Sequence, residues 1–83
     1  MSIAARVKNY ILENYMFTDD QEALGNAESF LEKGIIDSTG IMEVILFLEE
    51  EFGISVKDEE MVPENLDSID NIASYIGRKT STA

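Results

Sequence analysis

Cysteine and histidine are both missing from the 83 residues. Without thiols there are no disulfides, no thiolate nucleophiles and no Cys/His metal sites, and without imidazole the usual proton shuttle near neutral pH is gone. Little that enzymes commonly use is left. Basic side chains are scarce too: six Lys and Arg face seventeen Asp and Glu, a formal net charge of -11. Such a field repels nucleic-acid phosphates and anionic membrane surfaces and attracts basic proteins, so neither nucleic acid nor membrane is an expected partner. The longest apolar run, Val44 to Leu48, is far short of the roughly 20 residues that cross a bilayer. In Met1 to Tyr10, Arg6 and Lys8 precede no apolar stretch with a small-residue cleavage site. No signal peptide is expected, and a cytoplasmic location is the simplest assignment.

Hydrophobic residues make up 45% and charged residues 28% of the chain, a balance that supports one small folded core rather than disorder. No repeat, low-complexity tract or sustained β-type alternation is present. Ile3, Val7 and Ile11, with Tyr10 and Tyr15 beside them, recur at helical spacing and predict a helix over Ser2 to Tyr15, with Ser2 as its cap. From Met16 to Asp37 the pattern dissolves into a long loop pinned by Phe17, Leu24, Phe30, Leu31, Ile35 and Ile36, with a helical turn expected over Ala27 to Lys33.

The strongest helix runs from Ser38 to Phe52, where Ile41, Val44, Ile45, Leu48 and Phe52 form one stripe and Gly53 supplies the terminating cap. Ile54 to Val56 reads as an extended link. Asp58, Glu59 and Glu60 open a brief helix that Pro63 is expected to stop. In the last helix Asp67 is the expected N-cap, Ile69, Ile72, Ala73 and Ile76 form the stripe, and Gly77 the end, before Arg78 and Lys79. The expected fold is all-α, a small bundle of three main helices and one short one, comprising residues 1–79 with a frayed tail over 80–83. A monomer is the expected state.

The charge is concentrated. Asp37 to Glu64 carries nine acids against one base, while residues 65–83 are balanced. These carboxylates read either as the solvated face of an amphipathic helix or as a docking face for basic partners. Asp37-Ser38 stands immediately before the main helix, where Asp and Ser are also the preferred caps, so the dipeptide alone distinguishes nothing. Asp67-Ser68 opens a helix in the same way. Only Ser38, however, follows a long loop and heads the acidic helix.

With that helix in view, the chain resembles the acyl carrier proteins and related carrier domains. The likeness rests on Asp37-Ser38, the apolar stripe with Glu43, the Glu49-Glu50-Glu51-Phe52 end and the short link after it. It extends through Asp58-Glu59-Glu60 to Ile72-Ala73-Ser74-Tyr75-Ile76, and the opening Arg6-Val7-Lys8 helix also fits. The resemblance implies a four-helix carrier-protein bundle that is not itself an enzyme. It makes Ser38 the serine to which a phosphopantetheinyl transferase attaches phosphopantetheine from coenzyme A, with Asp37 helping to position metal and cofactor in that transferase. Cargo would then be held as a thioester on the arm's terminal thiol, so the reactive sulfur belongs to the cofactor. The other partners it implies are an acyl or amino acid ligase and downstream transferases. Partner docking falls to Thr39, Glu43, Glu50 and Glu51. Met42 and Leu46, with Met61 and Val62, read as core packing with Met as gap filler, and through the resemblance as the lining of a cargo pocket.

Two positions depart from the family's pattern. Thr39 stands where Leu is usual, and Gly40 where fatty-acid carriers usually have Asp. The Gly25 to Gly34 loop and the Lys33-Gly34-Ile35-Ile36 approach are more similar to specialised stand-alone carriers, including those loaded with amino acids, than to housekeeping fatty-acid carriers. The alternative from another class is an unmodified acidic module that docks a basic protein, in which Ser38 carries nothing.

Overall fold

The computed structural model describes residues 2–80, and among them every regular element is a helix or a helical turn. The first, α1, spans Ile3–Ile11. Its Ser2 hydroxyl oxygen accepts a hydrogen bond from the Ala5 N–H at 3.1 Å, the cap that the sequence predicts. The predicted continuation to Tyr15 is not regular α-helix: Leu12–Met16 forms a wider π-type turn, ended by Phe17 in the left-handed conformation at φ 55°. Leu12 is buried there beside Val7 and Ile11, and Tyr15 reaches the head of the longest helix.

The long segment up to Asp37 is more structured than its composition predicts. A 3-10 turn, Gln21–Ala23, is capped by Asp20. The helical turn expected over Ala27 to Lys33 is confined to a short helix α2, Phe30–Lys33, because Ser29 caps it and Gly34 at φ 67° ends it. Leu24 and Phe30 are fully buried. They anchor the segment by apolar burial, worth about 1.5–3 kcal/mol for each large side chain.

Helix α3 spans Ser38–Phe52, as predicted, and ends on Gly53 at φ 66°. The left-handed φ there lets the Gly53 N–H turn back to the Glu49 carbonyl oxygen at 3.0 Å. After the extended link comes a 3-10 turn, Asp58–Glu60. Pro63 does not stop a helix; it opens one, α4, Pro63–Leu66. A proline at the first helical position loses no hydrogen bond, since that amide has no helical acceptor.

The last helix, α5, spans Ile69–Thr80. Ser68 caps it in place of the expected Asp67, its hydroxyl oxygen accepting from the Asn71 N–H at 3.1 Å. The helix runs on through Gly77 because buried Tyr75 and Ile76 hold its final turns against the core, and the Thr80 hydroxyl bonds the Ile76 carbonyl oxygen at 2.8 Å. Thr80 thus belongs to α5, while the remainder of the expected tail lies outside the described residues. Helices α1 and α4 both pack against α5, and Val44, Ile45 and Leu48 of α3 join the same apolar core. No described helix is long and apolar enough to cross a membrane.

Candidate functional site

Asp37 alone sets the start of α3. Its Oδ1 accepts from the Gly40 N–H at 2.7 Å, and its carbonyl oxygen accepts from the Ile41 N–H at 3.0 Å. Ser38 is therefore the first helical residue rather than the cap. Its hydroxyl is exposed and has no partner among the described residues. The amides of Ser38 and Thr39 point out of the helix end, where a phosphate ester on the neighbouring hydroxyl would meet unpaired N–H groups and the positive end of the helix dipole. The chemistry at Ser38 thus fits an anionic prosthetic arm. Ser68 differs at every point: it is 5% exposed, and its hydroxyl is committed to the cap of α5.

Ser38 also lines a cavity of ≈ 270 Å³. One wall is α3, through Ile41, Met42 and Ile45; α2 contributes Leu31; the opposite wall is Met61, Val62, Pro63, Leu66 and Asp67. Of the four predicted pocket residues, Met42, Met61 and Val62 are on the lining and Leu46 is not. Leu46 is 58% exposed, because it sits 100° further round the helix than Ile45, on the side of Glu43 and Glu50. Sequence reasoning missed Leu31, Ile41, Ile45, Pro63, Leu66 and Asp67 as lining residues. For α3 a signal existed, since counting i, i+3, i+4 and i+7 from Ser38 itself gives Ile41, Met42 and Ile45.

Two polar clusters hold the far wall. The Glu60 carboxylate accepts from the Lys57 N–H, the Tyr75 hydroxyl and the Lys79 ammonium, each at 3.0 Å. The Lys57 amide first, then Lys79, pull the Glu60 pKa down to about 2. Burial, followed by the bond to Glu60, pushes the Tyr75 phenol up to about 12. This cluster ties the chain just before Met61 to α5. Asp67 ties α2: its Oδ1 accepts from the Leu31 N–H at 3.0 Å, its Oδ2 from the Ser29 hydroxyl, and its carbonyl oxygen from the Phe30 N–H at 2.8 Å.

The four predicted docking residues separate into two groups. Thr39, Glu43 and Glu50 are exposed on neighbouring turns of one side of α3. Glu51 lies on another side and pairs with Arg6 of α1, whose guanidinium stands 4.8 Å from the centre of the Phe52 ring. Glu43 accepts from the Tyr15 hydroxyl at 2.9 Å. Among the described residues no group of His, Cys, Asp and Glu is arranged to hold a metal ion.

No protein-family model matches the chain. Curated relatives do. An acyl carrier protein of Bdellovibrio bacteriovorus is 33% identical over 79 residues, covering 95% of this chain and 96% of the relative. Another, from Zymomonas mobilis, is 32% identical over 73 residues and covers 88% of each. The solution structure of a holo acyl carrier protein from Nitrosomonas europaea superposes with a TM-score of 0.81 at 24% identity, over 99% of this chain and 100% of that one, which speaks for the fold. Similarity at this level along nearly the whole chain places the protein: it belongs to the acyl carrier protein family.

Proposed function

We propose that this chain carries an acyl group on a phosphopantetheine arm attached to Ser38 and passes it between enzymes. One observation carries the reading. The exposed hydroxyl at the head of α3 opens onto the ≈ 270 Å³ cavity between α2, α3 and α4, so attachment point and cargo space adjoin. In loading, the Ser38 oxygen forms a bond to the phosphorus of coenzyme A that bears the pantetheine. The phosphoanhydride bond breaks, adenosine 3′,5′-bisphosphate leaves, and the hydroxyl proton passes to a base of the transferase. The arm supplies a terminal thiol on which cargo is held as a thioester. Around it the chain's own residues do three things: the α3 amides face the phosphodiester, Asp37 keeps those amides in helical register, and the cavity withdraws cargo from water.

The lining favours an apolar acyl group over an aminoacyl group. Leu31, Ile41, Met42, Ile45, Met61 and Val62 offer nothing to an ammonium ion, and the Asp67 carboxylate is already committed to α2. A space of this size suits a short or medium chain. Thr39, Glu43 and Glu50 form the face that a basic transferase, a loading ligase and downstream enzymes meet in turn. Exposed ion pairs of at most about 1 kcal/mol each make such encounters fast and reversible. A monomer suits that traffic.

Intact mass after incubation with coenzyme A and a broad-specificity phosphopantetheinyl transferase tests the reading. Wild type and Ser68→Ala are expected to gain one arm and Ser38→Ala none. Modification that survives Ser38→Ala rejects the assignment.

A further inference from the structure

Glu43 stands five residues after Ser38, about 7.5 Å further along α3 at 1.5 Å per residue. Its carboxylate accepts from the Tyr15 hydroxyl at 2.9 Å, and the same hydroxyl lies 3.2 Å from the Gly40 carbonyl oxygen. The second distance exceeds the usual O–H···O range, so the single phenolic hydrogen goes to Glu43. Tyr15 arrives from the wide turn after α1.

The other acids of α3 are handled differently. Arg6 offsets the charge of Glu51, Glu49 is bonded by the Val56 N–H at 2.9 Å, and Glu50 has no partner among the described residues. A phenol is a neutral donor, so it orients a carboxylate without cancelling its charge. Burial and the bond to Glu43 push the Tyr15 pKa well above the ordinary phenol range, so the hydroxyl keeps its proton at any pH used for loading.

We infer that Tyr15 is a positioning residue for loading at Ser38: its hydroxyl presets Glu43 as a charged, oriented acceptor for a basic side chain of the modifying enzyme. The inference rests on Ser38 being the loaded residue.

Steady-state loading of the full chain with coenzyme A and a broad-specificity transferase, read by intact mass, tests it. Tyr15→Phe and Glu43→Gln are each expected to raise the KM for the carrier about three- to tenfold, the scale of immobilising one free side chain or losing one charged contact at an interface, with kcat unchanged. The double variant matches Glu43→Gln alone, because the phenol acts only through that carboxylate. Added salt weakens wild type and Tyr15→Phe with one slope and Glu43→Gln with a shallower one, since only the last removes a charge. Glu43→Asp, which keeps the charge but draws the carboxylate back from the Tyr15 hydroxyl by one methylene, raises the KM likewise with the wild-type salt slope. It carries the decision should circular dichroism show that Tyr15→Phe has lost helix. A wild type that gains no mass on Ser38 defeats the carrier reading itself. A wild type that loads, while the folded variants keep its KM or the two single effects multiply in the double variant, overturns the role of Tyr15 alone.

Discussion

Asp37 and Ser38 stand side by side and do separable work, which substitution should expose. Asp37 caps α3 through a 2.7 Å bond to the Gly40 N–H, and removing an N-cap costs about 1 kcal/mol, within a range of about 0.5–2. For a domain of this size about 1 kcal/mol lowers the Tm by about 4–8 °C. Asp37→Ala is therefore expected to melt several degrees below wild type. Ser38 makes no side-chain hydrogen bond among the described residues, so Ser38→Ala should melt within about 2–4 °C of wild type, in line with surface substitutions worth under about 0.5 kcal/mol. Loading by mass should run the other way, with Ser38→Ala inert and Asp37→Ala still able to gain the arm. Asp37→Asn separates the cap from the charge. Asn caps about as well as Asp, so its Tm should stay at the wild-type value, and slower loading would then report the carboxylate's part in the transferase complex. Thermal melts by circular dichroism and intact mass on the same samples are the assay. If Ser38→Ala lost as much Tm as Asp37→Ala, the division of labour at the head of α3 would be wrong.

Three further outcomes follow from the geometry. Thioesters of increasing chain length on the holo-protein should hydrolyse progressively more slowly through the short and medium chains that a cavity of ≈ 270 Å³ suits, and protection that kept rising to long fatty chains would show that the cavity opens further. Glu60 has a folded pKa near 2 against an ordinary 4.5, so its contribution to stability is complete above about pH 4.5 and is lost as the pH falls towards 2; Tyr75, raised from 10.0 to about 12, contributes below pH 10 and loses that as the pH rises through 12. Glu60→Gln should flatten the acid limb of a Tm-against-pH curve and the alkaline limb only in part, since the burial of Tyr75 remains, and an unchanged acid limb would remove Glu60 as its cause. Reversing Glu43 and Glu50 to Lys should slow loading at low salt without unfolding the domain, whereas Glu51→Lys should mainly cost stability, because it breaks the pair with Arg6 and sets two cations together; equal loading by the doubly reversed protein would make the acidic face a solubility feature.

Most of the helical skeleton was legible in advance because its signals are local. The stripe from Ile41 to Phe52, the Ser2 cap and the left-handed glycine after Phe52 depend on residues at most a few turns apart, and each lies where periodicity and cap chemistry put it. The all-α bundle follows from the same patterns. Errors fell where two local rules compete or a distant partner decides. Pro63 fits either side of a helix boundary, and only its place before Leu66, buried against α5, makes it a start. Asp67 and Ser68 are equally good caps. Asp67 is drawn off by Ser29 and Leu31, 38 and 36 residues away, which leaves the cap to Ser68. The same holds at the site. Ser38 and three of the cavity residues were singled out through the family resemblance, yet Leu31, Pro63 and Leu66 face Met42 only because Asp67 and Glu60 fasten α2 and the Met61 segment to the body of the bundle. Helical period records which residues share a face; it carries no record of which other face will be folded against it, and a cavity is a property of two facing surfaces.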